Sequence, residues 1–146
     1  MDKPKLNFLS KFKIAALAPL AIVLLLLWFV YNVYTNGQVQ HPGKSTYQTE
    51  CAGCHGDNGE GTAQLIPPLV RADYAIRHFD SIPCWITNGM NHPIIVNDIE
   101  YNQVMYGKPL SDVEAANVIN YVAQQFLKND RKVNSAWVNQ QWQKCK

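Results

Sequence analysis

Charge is scarce in this chain. Asp, Glu, Lys and Arg make up only 16% of its 146 residues, and the formal net charge is +2. Even that small excess is local. Lys3, Lys5, Lys11 and Lys13 against Asp2 contribute +3, so the rest of the chain carries about −1. A clustered basic face is therefore missing, which excludes nucleic acid as a partner. From Ile14 to Tyr34 charge is absent altogether, in "IAALAPLAIVLLLLWFVYNVY". That run also lacks the small-residue site at which a signal peptide is cleaved, and it exceeds the usual 7–15-residue apolar core of one. No cysteine follows closely, which excludes a lipid-modified N-terminus. About 20 such residues cross a bilayer core of roughly 30 Å as a helix, so 14–34 reads as an uncleaved transmembrane anchor. Pro19 falls near its start, where a missing N–H does least harm. The lysines before it place residues 1–13 in the cytoplasm by the positive-inside rule, and Trp28, Tyr31 and Tyr34 suit the outer headgroup level. The expected location is thus an inner membrane with everything beyond Tyr34 in the periplasm.

Cysteine is also sparse, at four residues, yet two of the four stand in "CAGCH", residues 51–55. In an oxidising compartment such a pair has several readings. A thioredoxin-like redox pair belongs in a βαβ context, and no such strand pattern surrounds it. A structural zinc site needs a fourth ligand at matching spacing, and Cys84 and Cys145 are too far off to supply one. A disulfide between Cys51 and Cys54 would close a cramped loop. The pattern C-x-x-C-H is the attachment sequence of c-type haem: two sulfurs reach the vinyl groups and the next imidazole lies under the iron. One covalent haem c, held by Cys51, Cys54 and His55, is the expected cofactor.

Further blocks carry a family resemblance. Gly43 and Tyr47 precede Cys51, and a glycine-rich turn and "PPL" follow in "GDNGEGTAQLIPPL". Then come "ITNGMNHPIIVNDIEYNQVM" and "LSDVEAANVINYVAQQF". In this order, from about residue 43 to 127, the chain resembles a class I cytochrome c of the single-haem bacterial respiratory type. The resemblance implies a small helical domain wrapped around the haem, with Met105, shortly before "LSD", as the second axial ligand. It departs from the family pattern at Tyr106, where proline usually follows the methionine, and Pro109 comes three residues later. Met90 and His92 stay open as alternatives. A proline carbonyl after the haem motif orients the ligating histidine in this family, which points to Pro67 first and Pro68 second. Six-coordinate iron with one exposed haem edge exchanges electrons and has no site for substrate. The implied function is therefore electron transfer in a periplasmic respiratory chain, not enzymatic turnover. The partners implied are membrane-bound redox proteins or a larger assembly such as alternative complex III, a terminal oxidase or a reductase. A labile sixth ligand would make the protein a gas sensor or peroxidase-like enzyme instead.

The residues themselves agree with a helical reading. Ser111 with Glu114 three residues on forms a capping box, and Val118, Val122 and Phe126 recur at intervals of four. Gly43 allows another helix close to its backbone. No run alternates with period two, so the fold class expected is all-α: one transmembrane helix, a linker at 35–42, the haem domain at 43–127 and a tail at 128–146. The tail holds Trp137, Val138 and Trp142, too apolar for a free end. Once haem takes two thiols, Cys84 and Cys145 remain, and an even remainder in an oxidising compartment pairs as a disulfide.

Overall fold

The structure, a computed structural model, describes residues 8–36 and 41–145, with side chains for 19–34 and 41–145. The chain divides into two units, residues 1–40 and 41–146. The first contains helix α1, Phe8–Asn36, with Pro19 inside it. Most of its described side chains are apolar and exposed, among them Leu24, Leu25, Trp28 and Phe29. The expected transmembrane anchor at 14–34 is overturned: among the described residues no helix is long and apolar enough to cross a membrane. The described side chains of α1 cover residues 19–34. The side chains of Lys3, Lys5, Lys11 and Lys13, which set the expected orientation, lie outside the described residues, as do residues 37–40 of the expected linker.

The second unit is mostly helical. Helix α2, Pro42–Glu50, starts with proline at its first position, where the absent N–H goes unmissed, and with His41 as cap. The Gly43 amide donates to His41 Nδ1 at 3.3 Å. A one-turn helix α3, Ala52–His55, follows. Helices α4, Asp73–Arg77, and α5, Ile82–Asn88, flank a short 3-10 turn at Phe79–Ser81. Helix α6, Asp112–Val122, begins with the capping box: Ser111 Oγ accepts from the Glu114 amide and the Glu114 carboxylate accepts from the Ser111 amide. The helix then widens into a π turn at Ala123–Leu127, stopped by Lys128 in the left-handed conformation. Helix α7, Ser135–Trp142, closes the chain, capped by Asn134.

The all-α expectation needs a second correction. Strands β1, Ile94–Val96, and β2, Ile99–Tyr101, pair antiparallel, with Ile94 opposite Tyr101 and Val96 opposite Ile99. Asn97 and Asp98, both at positive φ, form the two-residue turn between them. Such turns need left-handed residues, and Asn and Asp tolerate that conformation. Each strand has only three residues, too few to show an alternation.

The core lies between α2, α6 and the later elements. Gly43 sits where α2 meets α6: a Cβ there would fall 2.0 Å from the Asn117 carbonyl oxygen. Below the contact the rings of Tyr47, Tyr121 and Phe126 cluster, with centroids 5.1–5.7 Å apart. The tail packs on the same unit. Asn120 clamps the Val133 backbone through two hydrogen bonds of 2.8 Å. Val138 is fully buried, and Trp142 Nε1 donates to the Pro83 carbonyl at 3.2 Å. Arg131 pairs with Asp80 at 2.7 Å and lies over the rings of Phe79 and Trp137. Cys84 and Cys145 form a disulfide, with Cα atoms 5.4 Å apart, joining α5 to the end of the tail.

Candidate functional site

Cys51 lies at the break between α2 and α3. Its amide still bonds to the Tyr47 carbonyl, while its own carbonyl accepts from Cys54 and His55. One helical turn therefore carries both thiols and the imidazole. Cys54 is exposed and Cys51 half-buried. Burial, aided by the neighbouring Glu50 charge, pushes the free Cys51 thiol up to about 11.

The loop after α3 fixes His55. The Gly61 amide donates to the His55 carbonyl at 2.7 Å, Thr62 and Ile66 exchange a two-residue bridge, and the Leu69 amide returns to the Gly59 carbonyl at 2.7 Å. This folds Pro67 over the ring, and His55 Nδ1 lies 3.1 Å from the Pro67 carbonyl oxygen. A carbonyl only accepts, so the contact requires the proton on Nδ1 and leaves the Nε2 lone pair bare. Burial lowers the His55 pKa below its ordinary value, against the opposing pull of the Pro67 bond, and so favours the neutral ring that can bind a metal. Tyr47 braces the same turn: its hydroxyl donates to the Gly56 carbonyl at 2.6 Å.

Nε2 has a space to face. His55 and Cys51 line a small apolar cavity of about 120 Å3, together with Pro67, Pro68, Leu69, Trp85 and Ile86. Met90 and Met105 both line it. They are directly opposite residues of an isolated antiparallel bridge, joined by reciprocal backbone bonds of 2.8 and 2.9 Å. His92 is exposed and lines an adjoining cleft instead. Tyr106, which takes the place of the usual proline, is 80% exposed and lines that adjoining cleft. Of the polar residues after the motif, Arg77 pairs with Asp73, and Lys108 pairs with Glu50 at 3.3 Å.

Sequence reasoning missed part of the wall. Val96 comes from the unexpected hairpin, and Ile119 and Leu127 lie beside the stripe on α6. Ile119 was within reach of the helical period, one position along from Val118. The pairing of the two methionines was also missed. Its one local signal is a glycine just before Met90 and another two residues after Met105.

The residues present fit a haem: two thiols on one turn, a neutral imidazole with a bare nitrogen, thioethers in reach and an apolar wall. Comparison with known proteins points the same way. The family model described as cytochrome c matches residues 40–126, more than half of the chain. No curated protein matches it. The chain belongs to the cytochrome c family, whose members bind covalent haem c and its iron and are generally electron carriers.

Proposed function

We propose that this chain carries electrons between redox proteins of a respiratory chain, with its haem unit on the periplasmic side, either as a separate carrier or as a subunit of a larger respiratory complex. One observation carries the reading: His55, set by Pro67, and Met105 line a single apolar cavity with Cys51 at its edge. Haem c bound there supplies an iron that alternates between ferrous and ferric states. His55 would hold the iron through Nε2 and Met105 through its sulfur, and such a His/Met pair favours a high potential. Leu69, Trp85, Ile86 and Val118 keep water out, so little solvent reorganises when the charge changes. The Cys84–Cys145 bond supports an oxidising compartment, since such bonds do not persist in a reducing cytosol.

Two measurements test the reading together. A redox titration of the purified protein should show one reversible one-electron step and a low-spin spectrum in both states. Gentle purification of native assemblies should then recover the protein with other redox proteins or in reduction-competent free form. A high-spin iron that binds carbon monoxide at once would replace electron transfer by gas binding. Free thiols at Cys84 and Cys145 in freshly isolated protein would place the chain in a reducing compartment.

A further inference from the structure

We propose that Met90 is a second axial thioether for the same iron, able to take the coordination position whenever Met105 leaves it. The inference rests on the reading that His55 and Met105 ligate haem iron. Its ground is the bridge between the two methionines. The Met90 amide donates to the Met105 carbonyl at 2.8 Å and the Met105 amide to the Met90 carbonyl at 2.9 Å. Residues that exchange both backbone bonds stand directly opposite each other, and their side chains leave the same face with Cβ atoms about 5 Å apart. Both side chains here line the cavity that holds His55.

The close approach is built into the chain on both sides. Gly89 has φ +76, and a Cβ on it would lie 2.2 Å from the Met105 carbonyl oxygen. A Cβ on Gly107 would lie 2.2 Å from the Thr87 carbonyl oxygen. The Lys108 amide adds a bond to the Ile86 carbonyl at 2.6 Å. The backbone of Met90 is thus held as firmly as that of Met105, and each carries an unbranched side chain with three rotatable bonds. Swapping one for the other breaks one iron–sulfur bond and forms another. The oxidation state and net charge stay as they were, and no proton moves. Ordinary core packing of Met90 would account for its burial, but not for a thioether placed in register with the ligand at the same cavity.

The test uses the full chain with haem attached through Cys51 and Cys54, in three variants: Met105→Leu, Met90→Leu and the double substitution. Leucine keeps the volume of methionine and removes the sulfur, so the fold survives the change, which circular dichroism checks. The readouts are the weak sulfur-to-iron absorption of the ferric protein at the red end of the spectrum and the midpoint potential. The proposal expects the band to persist in each single variant, with a small shift, and to vanish only in the double variant, together with a large fall in potential. Loss of the band in Met105→Leu alone overturns the proposal and leaves Met105 as the only sulfur ligand. Loss in Met90→Leu alone also overturns it and moves the resident ligand to Met90. A band that survives the double substitution, or is absent from the parent protein, defeats methionine ligation itself, and with it the reading on which the proposal stands.

Discussion

His55 gains its chemistry from an atom of the main chain. The Pro67 carbonyl, 3.1 Å from Nδ1, selects the tautomer, and no side-chain substitution at position 67 deletes that acceptor. The informative variants are therefore at the attachment turn. Cys51→Ser or Cys54→Ser should leave a single thioether and a shifted absorption spectrum, and His55→Ala should stop maturation or leave an unstable product. Acidified ketone should extract no haem from the parent protein, and pigment partitioning into the ketone would contradict covalent attachment. Two exposed carboxylates give a pH effect of known sign. Asp73 is held below the ordinary carboxylate range by the Asn97 amide first, with Arg77 and the Tyr74 amide adding to it. Glu114 is lowered by its bonds to the Ser111 side chain and amide. A depressed folded pKa gives stability that is present above the unfolded value, about 4, and lost as the pH falls through the folded one. The melting temperature of the parent should therefore decline below about pH 4 more steeply than that of Asp73→Asn/Glu114→Gln, and parallel curves would refute it. Much of this site was readable in residues alone. The pentapeptide at Cys51 is specific because its spacing matches a rigid ring. The partnership of Met90 with Met105 was not readable, because a bridge of one residue pair leaves no period.

Among the secondary elements, α6 is the one whose start is written most plainly. Ser111 and Glu114 satisfy two orphan amides reciprocally, as the local sequence predicts. Ser111→Ala should lower stability by about 1 kcal/mol in urea denaturation, the usual worth of such a cap. An unchanged midpoint would mean that helix packing alone holds the start of α6. The end of the same helix was not readable. Its interval-of-four stripe runs on through Phe126, yet the backbone widens to a π turn from Ala123. The extra residue brings Phe126 against Tyr47 and Tyr121, where tertiary packing overrides the regular period. The hairpin at 94–101 escaped for a different reason. Its turn is Asn-Asp, without the glycine that marks such turns most strongly, and its strands are too short to alternate. In α1 the reverse happened. The apolar run at 14–34 invited a membrane span, and among the described residues no helix is long and apolar enough to make one.

The haem unit is closed by contacts between distant parts of the chain. The disulfide ties residues separated by 61 positions and fastens α7 over α5. Chain entropy gives about 4 kcal/mol for a loop of this length, an upper figure because attached haem already restrains the unfolded chain. Cys84→Ser/Cys145→Ser should show a lower denaturation midpoint by up to that amount, with the haem spectrum of the folded protein little altered. A midpoint equal to the parent's would show that Arg131, Asn120 and Trp142 hold the tail unaided. The tail's docking was inferable from its tryptophans; its partners were not, since they depend on which face α5 presents. The seat of α2 on α6 has a consequence in time. Gly43 lies near the beginning of the unit and Asn117 about three-quarters of the way along it, so this contact cannot form until the chain has been made through residue 117. Contacts so far apart in sequence close slowly. Until they do, nothing from α6 lies against Cys51, whereas Cys54 is exposed even in the folded unit. The crossing of these two helices thus belongs to the late-closing contacts of the unit, made only once residues 43 and 117 are both present to meet.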